Sequence, residues 1–212
     1  MTVKLEEMRQ TYGADVLDET SAGMDPVALF AEWLRAAQDA GVREPNAMTV
    51  ATVDAAGRPH ARVVLLKGLV GDSFRFFTNT ESDKGLQIRQ NPAVALVFWW
   101  EPLERQVRIE GSAVLVSDGV ADQYFAQRPH ASRLGAWASA QSRPIESREA
   151  LDRAWEEATL AQGEALTRPP FWGGYDVEAT RMEFWQGRAG RLHDRLLYVR
   201  GEDGWSRCRL CP

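Results

Sequence analysis

The sequence predicts a mainly β fold with flanking helices, an α+β chain whose strands run antiparallel and close as a barrel. Three observations predict it. Over 47–78 and again over 93–116, strand-like runs follow one another closely, and strands joined without a crossover helix pair antiparallel. The last third repeats the pattern at 177–186, 192–199 and 205–210. Helical spacing falls in segments that flank those runs rather than alternating with every strand.

Composition sets the outer bounds. The chain has 212 residues, 44% hydrophobic and 26% charged, with a net charge of −5. That is an ordinary globular balance, and the length fits one large domain or two small ones. The acidic balance argues against wholesale nucleic-acid binding, so any anion site must be a local cluster of Arg and Lys. The opening MTVKLEEMRQ has no apolar centre of a secretory signal, and the longest apolar run, 93–100, is far short of the roughly 18 residues that span a bilayer. Cys208 and Cys211 are the only cysteines. A reducing, cytoplasmic setting without a disulfide framework is expected.

Taken in order, residues 1–24 are polar and read as a flexible arm, with 25–212 as a single domain. Asp25-Pro26 opens a helix, Asp as N-cap and Pro in the first turn, with Val27, Phe30, Ala31 and Leu34 at helical spacing up to Gly41. Trp33 and Trp155 read as packing residues. AMTVATV (47–53), a turn at 55–57 and HARVVLLKGL (60–69) read as a hairpin. On its second strand Lys67 shares a face with Val63 and Leu65, where it either snorkels to water or meets a ligand. SFRFFT (73–78) is the next strand. A Ser/Thr-rich loop follows, then a short helix capped by Ser82 and stopped before Pro92. Such a junction offers free backbone N–H groups to an anion, and Lys84 in its first turn makes sense beside one.

AVALVFWW (93–100) reads as a buried strand and RQVRIEGSAVLV (105–116) as a long one, with Gln106 and Arg108 alternating with Val107 and Ile109. A helix over 118–128 puts Tyr124 and Arg128 on one face, either as a surface pair or as a phosphate clamp together with Ser132, which starts the next short helix. Gln141 to Pro144 is a loop. Ser147 caps a helix to about Gln162, with Arg148, Asp152 and Glu156 outward. ALTRPPFWGG (165–174) is an irregular connector. The stretch EFWQGRAGRLHDR (183–195) concentrates donors beyond what a core strand would hold, since buried charges must be paired. It reads as a surface hairpin or as a site, with Arg191 and His193 pointing the same way from one strand. The histidines are too scattered for a zinc site, and Cys208-x-x-Cys211 lacks a second pair, so no metal is expected.

RVVLLK (62–67), FFTN followed by SDK (82–84), ERQVRIEG (104–111), YFAQRPHASRLGAWAS (124–139) with QS (141–142), FWGG (171–174) and EFWQG…RLHDR (183–195) together resemble the pyridoxamine 5′-phosphate oxidase family. The resemblance covers nearly the whole chain. It implies an FMN-binding split β-barrel and a homodimer with FMN in the subunit interface. It also implies oxidation of pyridoxine or pyridoxamine 5′-phosphate to pyridoxal 5′-phosphate, with dioxygen as acceptor. The implied FMN contacts are Arg62, Lys67, Phe77, Thr78, Lys84, Gln106, Gln141, Ser142, Trp185 and Arg195. The implied substrate contacts are Lys67, Tyr124, Arg128, Ser132, Arg191 and His193, the last two as catalytic residues. Arg9 and Tyr12 match an R-x-x-Y of the family's arm, which folds over substrate.

The chain departs from the family at Asp83, where Arg is usual beside the FMN phosphate. A carboxylate 4 Å from a phosphate is repelled by about 4 kcal/mol per charge pair at a surface-like dielectric. Asp83 therefore either turns outward or weakens FMN retention. Trp99 for a usual Pro, and a tail ending CRLCP, are further departures expected to leave the site residues untouched. A reductase of another substrate on the same barrel, or a non-catalytic carrier of pyridoxal phosphate or FMN, are the alternatives.

Overall fold

The computed structural model describes residues 11–13, 15–163 and 166–212. Helices α1 (Glu19–Ala22) and α2 (Pro26–Asp39) precede strands β1 (Ala47–Val53), β2 (Pro59–Leu65), β3 (Gly68–Val70) and β4 (Ser73–Asn79). Helix α3 (Asp83–Gln90) leads to β5 (Ala93–Trp100) and β6 (Arg105–Leu115). Helices α4 (Asp118–Gln127), α5 (His130–Ala138) and α6 (Arg148–Gln162) then precede β7 (Trp172–Gln186), β8 (Asp194–Gly201) and β9 (Gly204–Arg209). Among the described residues the strands hydrogen-bond in the order β2-β1-β5-β6-β7-β4-β3, with β8 on β7 and β9 on β8. The pairs β3–β4, β4–β7, β7–β8 and β8–β9 are antiparallel. The mainly β class with flanking helices is therefore the one the sequence predicts.

Three local expectations change. The long strand over 60–69 is two strands, because the chain changes partner at Leu66 and Lys67: Lys67 N donates to Arg75 O, and β3 then pairs with β4. The helix bearing Ser132 starts two residues earlier, at His130 behind Pro129. Trp172, Gly173 and Gly174 are strand rather than connector, held by the β4 register Asn79↔Trp172 to Phe77↔Gly174. Trp155 packs as expected, but at the surface: it is 39% exposed and its ring lies against Gly135 of α5.

The described residues fall into two compact units. Unit one lies within Met1–Thr49, Ala95–Glu110 and Ala179–Pro212. Its core joins Phe30 and Trp33 of α2 to Phe98 and Trp100 of β5, Phe184 of β7 and Tyr198 of β8. Each such buried ring contributes about 1.5–3 kcal/mol. The Asp25 side chain accepts from Val27 N and Ala28 N, so the cap and the apolar stripe of α2 agree. Asp18 caps α1 in the same way, and Leu17 and Ala22 are buried.

Unit two comprises Val50–Val94 and Gly111–Glu178. Its core holds Phe74 and Phe76 of β4, Phe125 of α4, Leu134 of α5 and Val177 of β7. Directly opposite residues Arg75 and Asp176 form a two-bonded ion pair at 2.6 and 2.7 Å. No described helix is long and apolar enough to cross a membrane.

Candidate active site

Unit two carries a cavity of about 770 Å³ lined from β2, β4, α3, α4, α5 and β7. Its cations are built in from below. Ser82 Oγ accepts from Gly85 N in the first turn of α3 and donates to Asn79 O, which fixes the start of that helix. That places Lys84 in the first turn, buried, with Nζ donating to Gln141 Oε1 (2.7 Å), Thr78 Oγ1 (3.1 Å) and Ser82 Oγ (3.2 Å). Burial, then the nearby Arg62 charge, push its pKa down to about 8, against a smaller opposing pull from Asp83. Arg62 reaches in from β2. Its guanidinium donates to Thr52 Oγ1 (2.6 Å), Val50 O (3.2 Å) and Gln87 Oε1 (3.2 Å). Burial lowers its pKa as well. Two cations brought together, with no carboxylate among the described residues hydrogen-bonded to either, make an anion site.

The same cavity is lined by Tyr124, Arg128 and Ser132. Phe77, Tyr124 and Trp172 stack nearly parallel, Phe77–Tyr124 at 4.0 Å and Phe77–Trp172 at 5.4 Å between centroids. Gly174 makes this possible, since a Cβ there would stand 2.6 Å from the Phe77 ring. Arg128 ends α4 with its guanidinium 4.8 Å over the Trp172 ring, and its Nη1 is buried without a hydrogen-bond partner. A buried guanidinium N–H costs free energy until an acceptor meets it. Burial raises the Tyr124 pKa, so its hydroxyl stays a donor. Lys67 is exposed and also lines the cavity.

Unit one holds a second cluster. Trp185 stands 4.6 Å from the His193 ring, and Tyr12 sits edge-on to both at 5.8 and 5.7 Å. Arg188 N donates to His193 Nδ1 at 3.1 Å, so the neutral ring carries its proton on Nε2, free to donate. Arg195 is locked by buried Glu183 (Nε–Oε1 2.9 Å) and donates from Nη1 to Cys211 O (2.7 Å). Gln106 lies on β6 and is half-buried.

The structure thus brings Arg62, Lys67, Phe77, Thr78, Lys84, Gln141, Tyr124, Arg128 and Ser132 to one cavity. Ser142 follows Gln141 in a left-handed conformation (φ 69°) and is exposed. Gln106, Trp185, Arg191, His193, Arg195 and Tyr12 belong to unit one. Arg9 lies outside the described residues. Arg191 and His193 do not share a strand: β8 starts at Asp194, and Arg191 ends a short turn at φ 63°. Gly190, at φ 66°, turns the chain there before pairing resumes. Asp83 turns outward, its carboxylate 3.4 Å from Arg143. One of the other two departures does touch a site residue, contrary to expectation: Trp99 is 45% exposed and leans on Trp185 at 6.0 Å. Arg195 donates to the backbone carbonyl of Cys211, a contact that any residue there would offer. Sequence reasoning missed Trp172 as the platform under Arg128, and Thr52 and Gln87 as the acceptors orienting Arg62. The FWGG run was the signal for the first, because paired glycines next to a Trp mark close approach by another ring.

Two family models match the chain: "Pyridoxamine 5'-phosphate oxidase" over residues 34–162 and "Pyridoxine 5'-phosphate oxidase C-terminal dimerisation region" over 172–212. A pyridoxine/pyridoxamine 5′-phosphate oxidase of Rubrobacter xylanophilus is 52% identical over 98% of this chain and 96% of its own. One from Cupriavidus taiwanensis is 50% identical over 99% of both chains. Among solved structures, PhzG from Burkholderia lata, in complex with tetrahydrophenazine-1-carboxylic acid, superposes with a TM-score of 0.88 at 33% identity, over 94% of this chain and all of its own.

Proposed function

The chain belongs to the pyridoxamine 5′-phosphate oxidase family, with its split-barrel fold, and from that premise we propose that it oxidises pyridoxine and pyridoxamine 5′-phosphates to pyridoxal 5′-phosphate using FMN and dioxygen. The alcohol and O2 give the aldehyde and H2O2; the amine, O2 and water give the aldehyde, ammonia and H2O2. The observation that carries this reading is the single cavity holding two sets of anion-binding groups, Lys84 with Arg62 and Thr78, and Arg128 with Tyr124 and Ser132. A site for two phosphorylated molecules needs two such sets.

The residues present fit FMN. The cavity falls within the roughly 300–1,000 Å³ usual for ligand sites. Lys84, Arg62 and Thr78 would hold the cofactor phosphate, and Gln141, already bonded to Lys84, would orient beside it. FMN supplies the two-electron chemistry. Around it the protein binds and orients. Arg128, with its unpartnered Nη1, takes the substrate phosphate together with the Tyr124 and Ser132 hydroxyls. His193, whose Nε2 carries the proton, and Arg191 would be the residues that hold the substrate's ring oxygen. Lys67, exposed and lining the same cavity, would serve both ligands. The chain acts as a homodimer with FMN in the subunit interface, and Gln106, Trp185 and Arg195 are the further cofactor residues that the family pattern implies. The dimerisation-region match over 172–212 spans Trp185, His193 and Arg195 and supports this reading. Two free, exposed thiols suit a reducing cytoplasm.

A flavin enzyme acting on a different reduced substrate is the second reading, favoured by the likeness to PhzG. Against it stands Arg128, because an unphosphorylated substrate leaves that buried donor unanswered. The deciding experiment is anaerobic. The FMN-saturated protein is mixed with pyridoxine 5′-phosphate and the oxidised-flavin band is followed. Bleaching, with recovery in air, is expected. Bound FMN that stays oxidised would overturn the oxidase reading.

A further inference from the structure

Glu104 stands just before β6 in the left-handed region, φ 52° and ψ 41°. Asn or Gly would meet that backbone with less strain. What Glu104 adds is reach on two sides of unit one. Its carbonyl accepts from Gly187 N at 2.8 Å, in the turn before His193. Its carboxylate Oε2 accepts from Gly13 N, also at 2.8 Å, in the N-terminal arm. The three segments are in close contact: a Cβ on Gly187 would lie 2.9 Å from Glu104 Cβ and 3.0 Å from Tyr12 Cβ and Cγ. Tyr12 in turn stands edge-on to His193 and Trp185. The arm has further tethers of the same kind, Asp15 to Arg105 at 2.5 Å and Leu17 N to Asp194 at 3.2 Å.

We propose that Glu104 is a positioning residue for the oxidation: its carboxylate anchors the arm at Gly13 and so keeps Tyr12 against the His193 ring. This rests on the reading of His193 as a substrate residue. It gives the strained backbone a purpose, since the residue that would relax φ best, Gly, has no acceptor to offer the arm. The effect is on orientation. Tyr12 closes one side of the His193 ring, Trp185 another, and Arg188 N fixes the tautomer.

The backbone geometry supplies a clean variant. Glu104→Gly relieves the left-handed strain while deleting the anchor; the two effects on stability oppose, so the fold is kept and Tm stays close to that of the wild type. In that variant, amide exchange of the peptide holding Gly13 is expected to speed up about tenfold, and kcat/KM for pyridoxine 5′-phosphate to fall about tenfold, the loss of one charge-assisted hydrogen bond. Glu104→Gln keeps an acceptor oxygen and restores most of both. In a Tyr12→Ala background, Glu104→Gly should remove nothing further. Unchanged exchange at Gly13, or the same loss of kcat/KM with and without Tyr12, would overturn the proposal. A wild-type chain that binds FMN but does not turn over pyridoxine 5′-phosphate would instead sink the functional reading and the catalytic half of this one, while exchange at Gly13 would still decide the anchor.

Discussion

Nζ of Lys84 lies 2.7 Å from Oε1 of Gln141, a buried ammonium whose hydrogen-bond partners are all neutral. Its pKa, pushed down to about 8, gives the ligand-free protein a defined pH response. Between about pH 8 and the ordinary lysine value of about 10.4, the unfolded chain binds more protons than the folded one. Ligand-free stability from this group therefore rises with pH through that window, and below pH 8 the charged lysine is a liability. Lys84→Met should raise the Tm of the FMN-free protein yet weaken FMN binding by tenfold or more. In the wild type, FMN affinity should fall as pH climbs from 7 to 9.5 and Lys84 loses its proton. Scanning calorimetry and flavin-fluorescence titration check both signs; a lower ligand-free Tm in Lys84→Met would contradict them.

Arg128 is the counterpart for the substrate. Its guanidinium stands 4.8 Å over the Trp172 ring with Nη1 unpartnered, and lysine lacks that planar fork of donors. A hydrogen bond to a charged group contributes about 1.5–3 kcal/mol, so Arg128→Lys should raise KM for pyridoxine 5′-phosphate by roughly 10- to 100-fold. Steady-state peroxide release measures it. A KM within twofold of wild type would remove Arg128 from the phosphate clamp.

Much of this was legible in the sequence, for physical reasons that differ by residue. The Asp25 cap, Pro26 and the Phe30 spacing are local signals, and α2 forms where they place it. The same holds for Ser82 and Ser147, whose side chains accept the amides expected of N-caps. What failed was long-range. The break at Lys67 comes from a change of strand partner, which alternation of apolar residues in HARVVLLKGL does not encode. Arg191 and His193 looked like alternate residues of one strand because nothing local marked where pairing resumes, at Asp194. Trp99 looked remote from the site, and only the fold sets it against Trp185.

Asp83 tests how much a mismatched charge matters when it is paired off. Both partners are about half exposed, Asp83 at 56% and Arg143 at 48%, and Arg143 also donates to Glu81 O at 2.9 Å. Exposed pairs contribute roughly 0–1 kcal/mol, so Asp83→Ala should tighten FMN by no more than about fivefold, and the gain should vanish in high salt. Arg143→Ala, which leaves Asp83 unpaired near Lys84, should weaken FMN to a similar degree. FMN titrations of the two single variants and the double variant resolve this. An Asp83→Ala protein with weaker FMN binding would show that the carboxylate supports the site instead of opposing the phosphate.

Gly85 carries the sharpest steric prediction. A Cβ there would fall 2.2 Å from Thr80 O, 2.5 Å from Thr80 C and 2.7 Å from its Cα. All three are backbone atoms, so no side-chain rotation relieves the clash, and the 79–82 turn must move. That turn is tied by Thr80 N to Phe171 O and by Ser82 Oγ to both Asn79 O and Lys84 Nζ. Gly85→Ala should therefore cost about 2–4 kcal/mol in urea unfolding and also weaken FMN, because it shifts the loop that positions Lys84. Gly119, in the first turn of α4, is the control: a Cβ there meets nothing within 4 Å. Gly119→Ala should stabilise by a few tenths to about 1 kcal/mol, through lower chain entropy in the unfolded state. If the two substitutions had similar effects, the packing of the Thr80 turn against Gly85 would not be what constrains the anion site.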